Sequence, residues 1–172
     1  MKVLGTYFIF LFSSVVFSQE NEAIKYEDLY ERNGLIYASD QDSSFNGTVD
    51  ENWPTGINKL SYSYKNGKPD SKWSDWFNNG QPKEEVEYSA GIKNGLHKQW
   101  YENGQQKFER TYKNGIHDGK WTEWYENGQP MVEGNFLDGK PDGTWIYWYP
   151  NGQKREEGNP VNSDTISLAF LN

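Results

Sequence analysis

The stretch Gly139-Lys-Pro-Asp-Gly-Thr-Trp-Ile-Tyr-Trp-Tyr-Pro-Asn-Gly-Gln153 decides the fold, because its pattern returns along the chain at a fixed spacing. Four tryptophans lie 24 residues apart, and an aromatic residue follows each of them. An Asn-Gly-Gln triplet keeps the same register. Self-similarity at one period indicates a repeat architecture, which has to be recognised before any other signal is weighed. The defining columns are Trp76, Trp100, Trp124 and Trp148, together with Gly80, Gly104, Gly128 and Gly152.

The period divides most of the chain into units. Four units are well kept, at 67–90, 91–114, 115–138 and 139–158, and a degenerate unit precedes them at 43–66. Together they form a repeat array over 43–158. An acidic lead-in at 19–42 precedes the array, and we expect it to contribute an N-terminal cap. Residues 159–172 follow as a C-terminal cap or tail, and the apolar segment Ser163–Leu171 predicts a final strand there.

Each unit is predicted to form a β-hairpin. Asn-Gly between short aromatic segments favours a type I′ turn, because both central residues of that turn need a positive φ. We therefore expect the tight turn at the Asn-Gly-Gln triplet and a wider glycine loop at the other end. One hairpin is not stable alone, so neighbouring hairpins have to stack. The prediction is an all-β protein, an elongated single-sheet antiparallel meander, in which each column tryptophan packs on its copies and Gly134 and Gly158 leave room for rings.

The first 18 residues are typical of a secretory signal. Lys2 gives a positive start, an uncharged apolar run extends from Val3 to Phe17, and small residues precede Gln19. A retained membrane anchor is the alternative, but about 15 apolar residues are fewer than the ~20 that span a bilayer. We therefore expect export to the periplasm, the outer surface or the medium, with no stable membrane span once the signal is removed.

Composition excludes several function classes. The 172 residues contain no cysteine and only two histidines, which argues against thiol chemistry, disulfides, histidine triads and zinc enzymes. The formal net charge is −8, which disfavours binding to nucleic acid. The sequence contains no phosphate-binding glycine loop and no nucleophile elbow. We predict no catalytic, cofactor-binding or metal-binding residues, and no enzyme.

Candidate binding residues come from the repeat columns and from departures from them. The aromatic columns are interpreted mainly as core. His97 departs from the pattern, because it occupies the slot of Trp73, Trp121 and Trp145. The carboxylate column is interpreted as cross-strand charge pairing with neighbouring bases rather than as a hydrolase site. The predicted binding surface is His97, Tyr101, Tyr125 and Tyr149; the carboxylates are Glu85, Glu109, Glu133 and Glu157, with Lys83, Lys107, Lys154 and Arg155 as their expected partners.

The unit G-K-x-D-G-x-W-x-x-W-Y-x-N-G-Q, as in Gly139 to Gln153, resembles the MORN-repeat variant family of bacterial proteins. The resemblance covers about 43–158 and is strongest over 67–158. It implies a sheet of repeated hairpins and brings no catalytic residues with it. Some members of the family are labelled antitoxin-like, and related repeats in eukaryotic proteins are linked to protein scaffolding and lipid contact.

Three functions remain open at this point. The first is an exported, non-enzymatic scaffold that binds an unidentified protein or another component of the cell envelope. The second is a glycan-binding module that uses exposed Tyr and Trp. The third is an antitoxin-like inhibitor of a cognate protein toxin, a role that conflicts with export. The sequence leaves the oligomeric state open.

Overall fold

The computed structural model describes residues 24–39 and 41–159, so the predicted signal at 1–18 and the tail at 160–172 lie outside the described residues. A 3-10 helix spans Tyr26–Asp28. The strands are β1 (Leu29–Arg32), β2 (Leu35–Ala38), β3 (Gly47–Asn52), β4 (Asn58–Lys65), β5 (Lys68–Trp76), β6 (Pro82–Ser89), β7 (Ile92–Trp100), β8 (Gln106–Lys113), β9 (Ile116–Trp124), β10 (Pro130–Leu137), β11 (Lys140–Trp148) and β12 (Lys154–Gly158).

Strands β3 to β12 form one antiparallel sheet in which every strand lies between its neighbours in sequence, and β1 and β2 form a separate hairpin. The predicted all-β meander of hairpin repeats is confirmed. Ten strands spaced about 4.8 Å apart extend roughly 43 Å across the sheet, whereas a nine-residue strand is about 30 Å long. Within the described ranges, no helix has the length and apolar content of a membrane span.

The two turns of each unit occur at the opposite ends from those predicted. The tight two-residue turn is Asn114-Gly115 and its equivalents, where Asn114 has φ 51° and Gly115 has φ 85°. The Asn-Gly-Gln triplet instead lies in a five-residue loop, which is closed by a hydrogen bond from the Tyr101 amide to the Gln105 carbonyl. In that loop only Gly104 has a positive φ, 84°. The prediction of a type I′ turn at the triplet is therefore wrong.

The asparagine of the triplet links one repeat to the next. The Oδ1 atom of Asn103 accepts a hydrogen bond from the Gln105 amide at 2.9 Å, and its Nδ2 donates to the Glu126 carbonyl of the following unit at 2.9 Å. Asn79 and Asn127 make the same pair of contacts. The residue is therefore needed for its two-sided amide, which explains why the triplet repeats without forming the expected turn.

A second set of links lies at the opposite ends of the strands, beside the two-residue turns. These links run from later residues of the chain back to earlier ones. The amide of Asn114 donates to Oδ1 of Asn94 in its own unit at 3.1 Å, and the Gly115 amide donates to the Lys93 carbonyl of the preceding unit at 2.9 Å. Ala90 donates in the same way to Asp70. Contacts between successive units therefore lie at both ends of the strands, in addition to the hydrogen bonds between neighbouring strands.

The aromatic core uses a different tryptophan column from the one predicted. Trp145 is fully buried, and a Cβ atom on Gly134 would lie 2.1 Å from its ring, so the expected space for a ring at Gly134 is confirmed. The ring contacts of the described residues include Trp73, Trp121 and Trp145. They include none of Trp76, Trp100, Trp124 and Trp148, which are half-buried at strand ends. The prediction that these four stack on one another is wrong.

The first described residues pack on the beginning of the sheet. Ala38, Phe45 and Val49 form a buried cluster with Leu60 and Tyr64. The amide of Ile36 donates to the Gly67 carbonyl, and the Gly67 amide donates to the Phe45 carbonyl, each at 2.8 Å. The N-terminal end of the sheet is therefore covered by the β1–β2 hairpin and the segment after it.

Ala90 occupies the first central position of a two-residue turn with φ 51°, where the equivalent turns have Asn or Asp. Asparagine tolerates this conformation, whereas alanine is strained in it by about 1 kcal/mol. We expect Ala90→Asn to raise the free energy of unfolding by about that amount, measured by urea denaturation. Asn114→Ala, the reverse change one unit later, should lower it similarly. Equal stability of both variants and the parent would contradict the assignment of the turn.

The links between repeats make a second prediction. Asn103→Ala removes two hydrogen bonds and should cost about 1–2 kcal/mol in the free energy of unfolding. Asn103→Asp keeps the acceptor and should cost less. Asn151→Ala is the matched control, because the Nδ2 atom of Asn151 bonds to Gln153 in its own loop and to no other unit among residues 24–39 and 41–159. If Asn103→Ala and Asn151→Ala cost the same in thermal or urea unfolding, the bond between repeats contributes nothing.

Candidate binding surface

One face of the sheet, which we name the ring face, carries a nearly continuous row of aromatic side chains. Its residues alternate with those of the opposite face along each strand, and directly opposite residues on neighbouring strands share a face. Ring centroids of consecutive members lie 4.3 to 5.9 Å apart. The described rings are Tyr62, Tyr64, Trp73, Tyr88, His97, Phe108, Tyr112, His117, Trp121, Phe136 and Trp145.

The row is interrupted once. The described ring contacts form one group that ends at Tyr88 and another that begins at His97. At this position His97 replaces the tryptophan of the neighbouring units, and Val86 lies directly opposite it. Polar side chains fill the interruption. We name the group Asp75, Glu84, Lys93 and His97 the polar break.

His97 is held between an acid and a base. Its side chain is buried, with Nε2 2.6 Å from Oε1 of Glu84 and Nδ1 3.3 Å from Nζ of Lys93. The ammonium of Lys93 can only donate, so Nδ1 accepts and Nε2 carries the hydrogen that is donated to Glu84. Both ring nitrogens of His97 are therefore engaged.

Two carboxylates face each other beside this histidine. Asp75 and Glu84 are directly opposite on β5 and β6, and like charges in that relation destabilise a sheet. Burial raises the pKa of Asp75, and the charge of Glu84 adds to that effect, although a 2.6 Å hydrogen bond from the Tyr62 hydroxyl works against it. The hydrogen bond from His97 lowers the pKa of Glu84 and outweighs its burial. The two acids are therefore shifted in opposite directions.

The opposite face of the sheet, which we name the charged face, carries paired charges. Glu85 lies 2.6 Å from Lys72, Glu109 lies 3.1 Å from Lys98, and Glu133 lies 3.7 Å from Lys120. The predicted cross-strand charge pairing is confirmed for the first three carboxylates, but their partners are Lys72, Lys98 and Lys120 rather than Lys83 and Lys107. Glu157 and Lys154 pair within the same strand, β12. Lys98 lies directly opposite Glu109, whereas Lys72 and Lys120 reach their carboxylates diagonally, from two residues beside the directly opposite position.

The predicted binding residues are distributed differently from the expectation. His97 is buried within the polar break. The hydroxyls of Tyr101 and Tyr125 donate to the carbonyls of Trp124 and Trp148 in the next unit, so both residues act as links between repeats. Tyr149 is 49% exposed. Gly80, Gly104, Gly128 and Gly152 all lie in the five-residue loops with positive φ.

Asp75, Glu84 and Lys93 were missed by the reading of the sequence, although a signal was present. The slot of Glu84 holds Phe108 and Val132 in the next two units, and both of these are buried. A carboxylate in a column of core residues needs a partner, and the next unit places His97 in a tryptophan column. Comparing the departures of neighbouring units, instead of one column at a time, would have identified the polar break.

Comparison with known proteins agrees with the fold. A family model described as MORN repeat variant matches four segments of the chain, 69–90, 93–114, 118–138 and 141–160. No curated protein matches the chain. The four segments include the whole of the polar break and, except for His117, the ring face from Trp73 onward, whereas Tyr62 and Tyr64 on β4 precede them.

The opposite pKa shifts in the polar break can be measured by NMR titration of the side-chain carboxyls. We expect Asp75 to titrate above the ordinary Asp value of about 3.9 and Glu84 to titrate below the ordinary Glu value of about 4.3. His97→Trp removes the hydrogen bond to Glu84, so the pKa of Glu84 should rise. Glu109 on the charged face is the control. Burial raises its pKa, Lys98, Gln106 and Lys120 together lower it more, and His97 is not among these causes, so the pKa of Glu109 should not change. An unchanged Glu84 would contradict the assigned cause.

Proposed function

Because the chain belongs to the MORN repeat variant family, we propose that it is an exported, non-enzymatic repeat scaffold that binds another protein, or another envelope component, through its ring face. One observation carries the proposal: the ten-stranded sheet is a single layer within the described residues. A sheet normally buries one face against a second layer. Here the ring face relies on its own aromatic side chains, and several of them stay half-exposed.

The composition of the ring face supports protein binding. Tyr62, Trp73, Tyr88, Tyr112 and Trp121 are all half-buried, so each offers aromatic surface to a partner. Tyrosine, tryptophan and arginine dominate the energetics of protein interfaces. Arg110 stacks 4.0 Å from the ring centre of Trp121 and pairs with Glu123, which holds its guanidinium flat on this face. Rigid aromatic surface of this kind costs little side-chain entropy when a partner binds.

The polar break gives this surface a chemical preference. Asp75 and Glu84 are opposite each other, half-buried and flanked by Tyr62 and Trp73. A cationic side chain from a partner would relieve the like-charge repulsion and would also lie against aromatic rings, which attract cations. We therefore infer that the partner presents Lys or Arg to this point. Glu84 and His97 bond to each other and Asp75 accepts from Tyr62, and these internal partners support recognition rather than turnover.

The proposal that the chain is exported rests on its sequence. The signal-like segment at 1–18 and the absence of cysteine are both compatible with life outside the cytoplasm. The polyanionic lead-in adds negative charge before the sheet and also favours a basic partner. Fractionation of cells that express the full chain tests this part: the expected result is a shortened chain in the envelope or medium, and retention in the cytoplasm would overturn export.

The binding proposal is tested by a pair of adjacent residues on opposite faces. The chain with Glu84→Gln, the chain with Glu85→Gln and the parent are cross-linked in native envelope, and captured components are quantified. We expect Glu84→Gln to reduce capture of a specific component about tenfold, which corresponds to about 1.4 kcal/mol, with Glu85→Gln close to the parent. Equal capture by all three would overturn the ring face as the binding surface.

The same preparations separate the other functions. Saturable quenching of tryptophan fluorescence by oligosaccharides would favour the glycan-binding module. Capture of a toxic cytoplasmic protein by an unexported chain would favour the antitoxin-like inhibitor. Under the proposed scaffold function, neither occurs, and the captured component is a protein or envelope molecule with exposed basic groups.

A further inference from the structure

The outer edge of β12 lacks a partner among residues 24–39 and 41–159, since β12 pairs there only with β11. The links of the last unit are also incomplete. Tyr101 and Tyr125 each donate their hydroxyl to a carbonyl of the following unit, at 2.9 and 2.8 Å. Tyr149 occupies the same column, and its hydroxyl makes no such bond within the described residues. The N-terminal end of the sheet, by contrast, is covered by the β1–β2 hairpin.

We propose that residues 164–172 of this chain dock on the outer edge of β12 as its antiparallel partner, with Asn162 and Ser163 as the connecting turn. The repeat period gives the assignment. Residues 24 positions earlier are the turn Asp138-Gly139 and strand β11, Lys140–Trp148. The segment 164–172 therefore has the nine-residue length of β5, β7, β9 and β11, and it lies in their register.

The register predicts specific pairs. In the preceding hairpin Glu133 lies opposite Ile146, and Val132 lies opposite Tyr147. One period later, Glu157 would be opposite Phe170, and Glu156 would be opposite Leu171. Ile146 lies opposite Glu157 on the β11 side. Phe170 would lie opposite Glu157 on the other side, so it would be on the charged face. The period also places the Asn172 carbonyl where Trp148 accepts from Tyr125, so it is the acceptor that Tyr149 lacks.

Several observations favour the chain's own segment over a strand from outside. The segment is tethered directly to β12, which gives it a high effective concentration at this edge. It is also apolar, with Ile166, Leu168, Phe170 and Leu171 among its residues. A serine with positive φ has a precedent in this chain, because Ser71 within β5 adopts φ 67° in a column otherwise held by glycine. An unpartnered sheet edge is a template for unwanted pairing, which such a strand would prevent.

Disulfide trapping tests the register, since the chain has no cysteine of its own. The test variant is Glu157→Cys with Phe170→Cys. The positive control is Glu133→Cys with Ile146→Cys, which are opposite each other in the structure. The negative control is Glu157→Cys with Leu171→Cys, whose side chains would be on opposite faces. Directly opposite Cα atoms lie about 4.5–5.5 Å apart, which suits a disulfide.

Mild oxidation of the full chain should cross-link the test variant within one molecule to the same extent as the positive control, with at least tenfold less cross-linking in the slipped pair. The proposal is overturned if the test pair stays reduced while the positive control forms, if the slipped pair reacts equally well, or if the product is a dimer, which would assign the edge to a second copy.

Hydrogen exchange, measured on chains with no introduced cysteine, tests the docking independently of whether the cysteine variants fold. We expect the amides of β12 on the outer edge to exchange at least tenfold faster in Phe170→Asp than in the parent, with β5 to β8 unchanged. Equal exchange rates would overturn the docking. The outcome does not depend on the ring face, so failure here leaves the proposed scaffold function standing.

Discussion

Each repeat in this protein is stable because the next repeat supplies hydrogen-bond partners and packing surface that it lacks by itself. A single-layer sheet cannot bury one face against a second layer, so the usual source of stability is reduced. The chain compensates with three kinds of contact between neighbours: the strand ladder, the ring row, and side-chain links at both edges. Asn103 shows the economy of the arrangement, because one amide closes its own loop and also holds the following unit. Stability is therefore close to a sum over neighbouring units, as in other linear repeat proteins.

Most of the fold follows from the period, and the errors in the prediction have physical causes. The all-β meander, the positions of the units and the charge pairing required only the register of the columns. The turns were exchanged because Asn-Gly was read for its backbone preference, whereas the asparagine at 103 is used for its side chain. The wrong tryptophan column was assigned to the core because Trp124 repeats more strictly than Trp121. The strictly repeated column, that of Trp124, lies at strand ends. The column that packs in the ring row is the less regular one, which contains His97 and Trp121; the Trp121 ring centre lies 4.7 Å from that of His117.

The candidate surface was only partly accessible to sequence reasoning. His97 was identified as a departure from the pattern, but its partners were not. Glu84, 13 residues away, reaches it through the register of β6 and β7, and Lys93 lies four residues away on β7 itself. Tyr101 and Tyr125 looked like free aromatic surface, and their hydroxyls turned out to be internal links. The polar break interrupts an otherwise aromatic row where two neighbouring units meet, and it places two carboxylates opposite each other. In the tryptophan slot of this row, His97 bonds to Glu84 and Lys93 instead of continuing the ring contacts.

The asparagine links at the five-residue loops all run in one direction. Asn79, Asn103 and Asn127 each donate to a carbonyl 23 residues further along the chain. A unit is thus completed by the one that follows it, beginning from the covered N-terminal end. For a polypeptide delivered through a pore from its N-terminus, structure would accumulate vectorially, and every arriving hairpin would lock its predecessor. Assembly in that order requires no contact between distant parts of the chain. A partly delivered chain would therefore have a folded N-terminal part, to which hairpins are added one at a time at its C-terminal side.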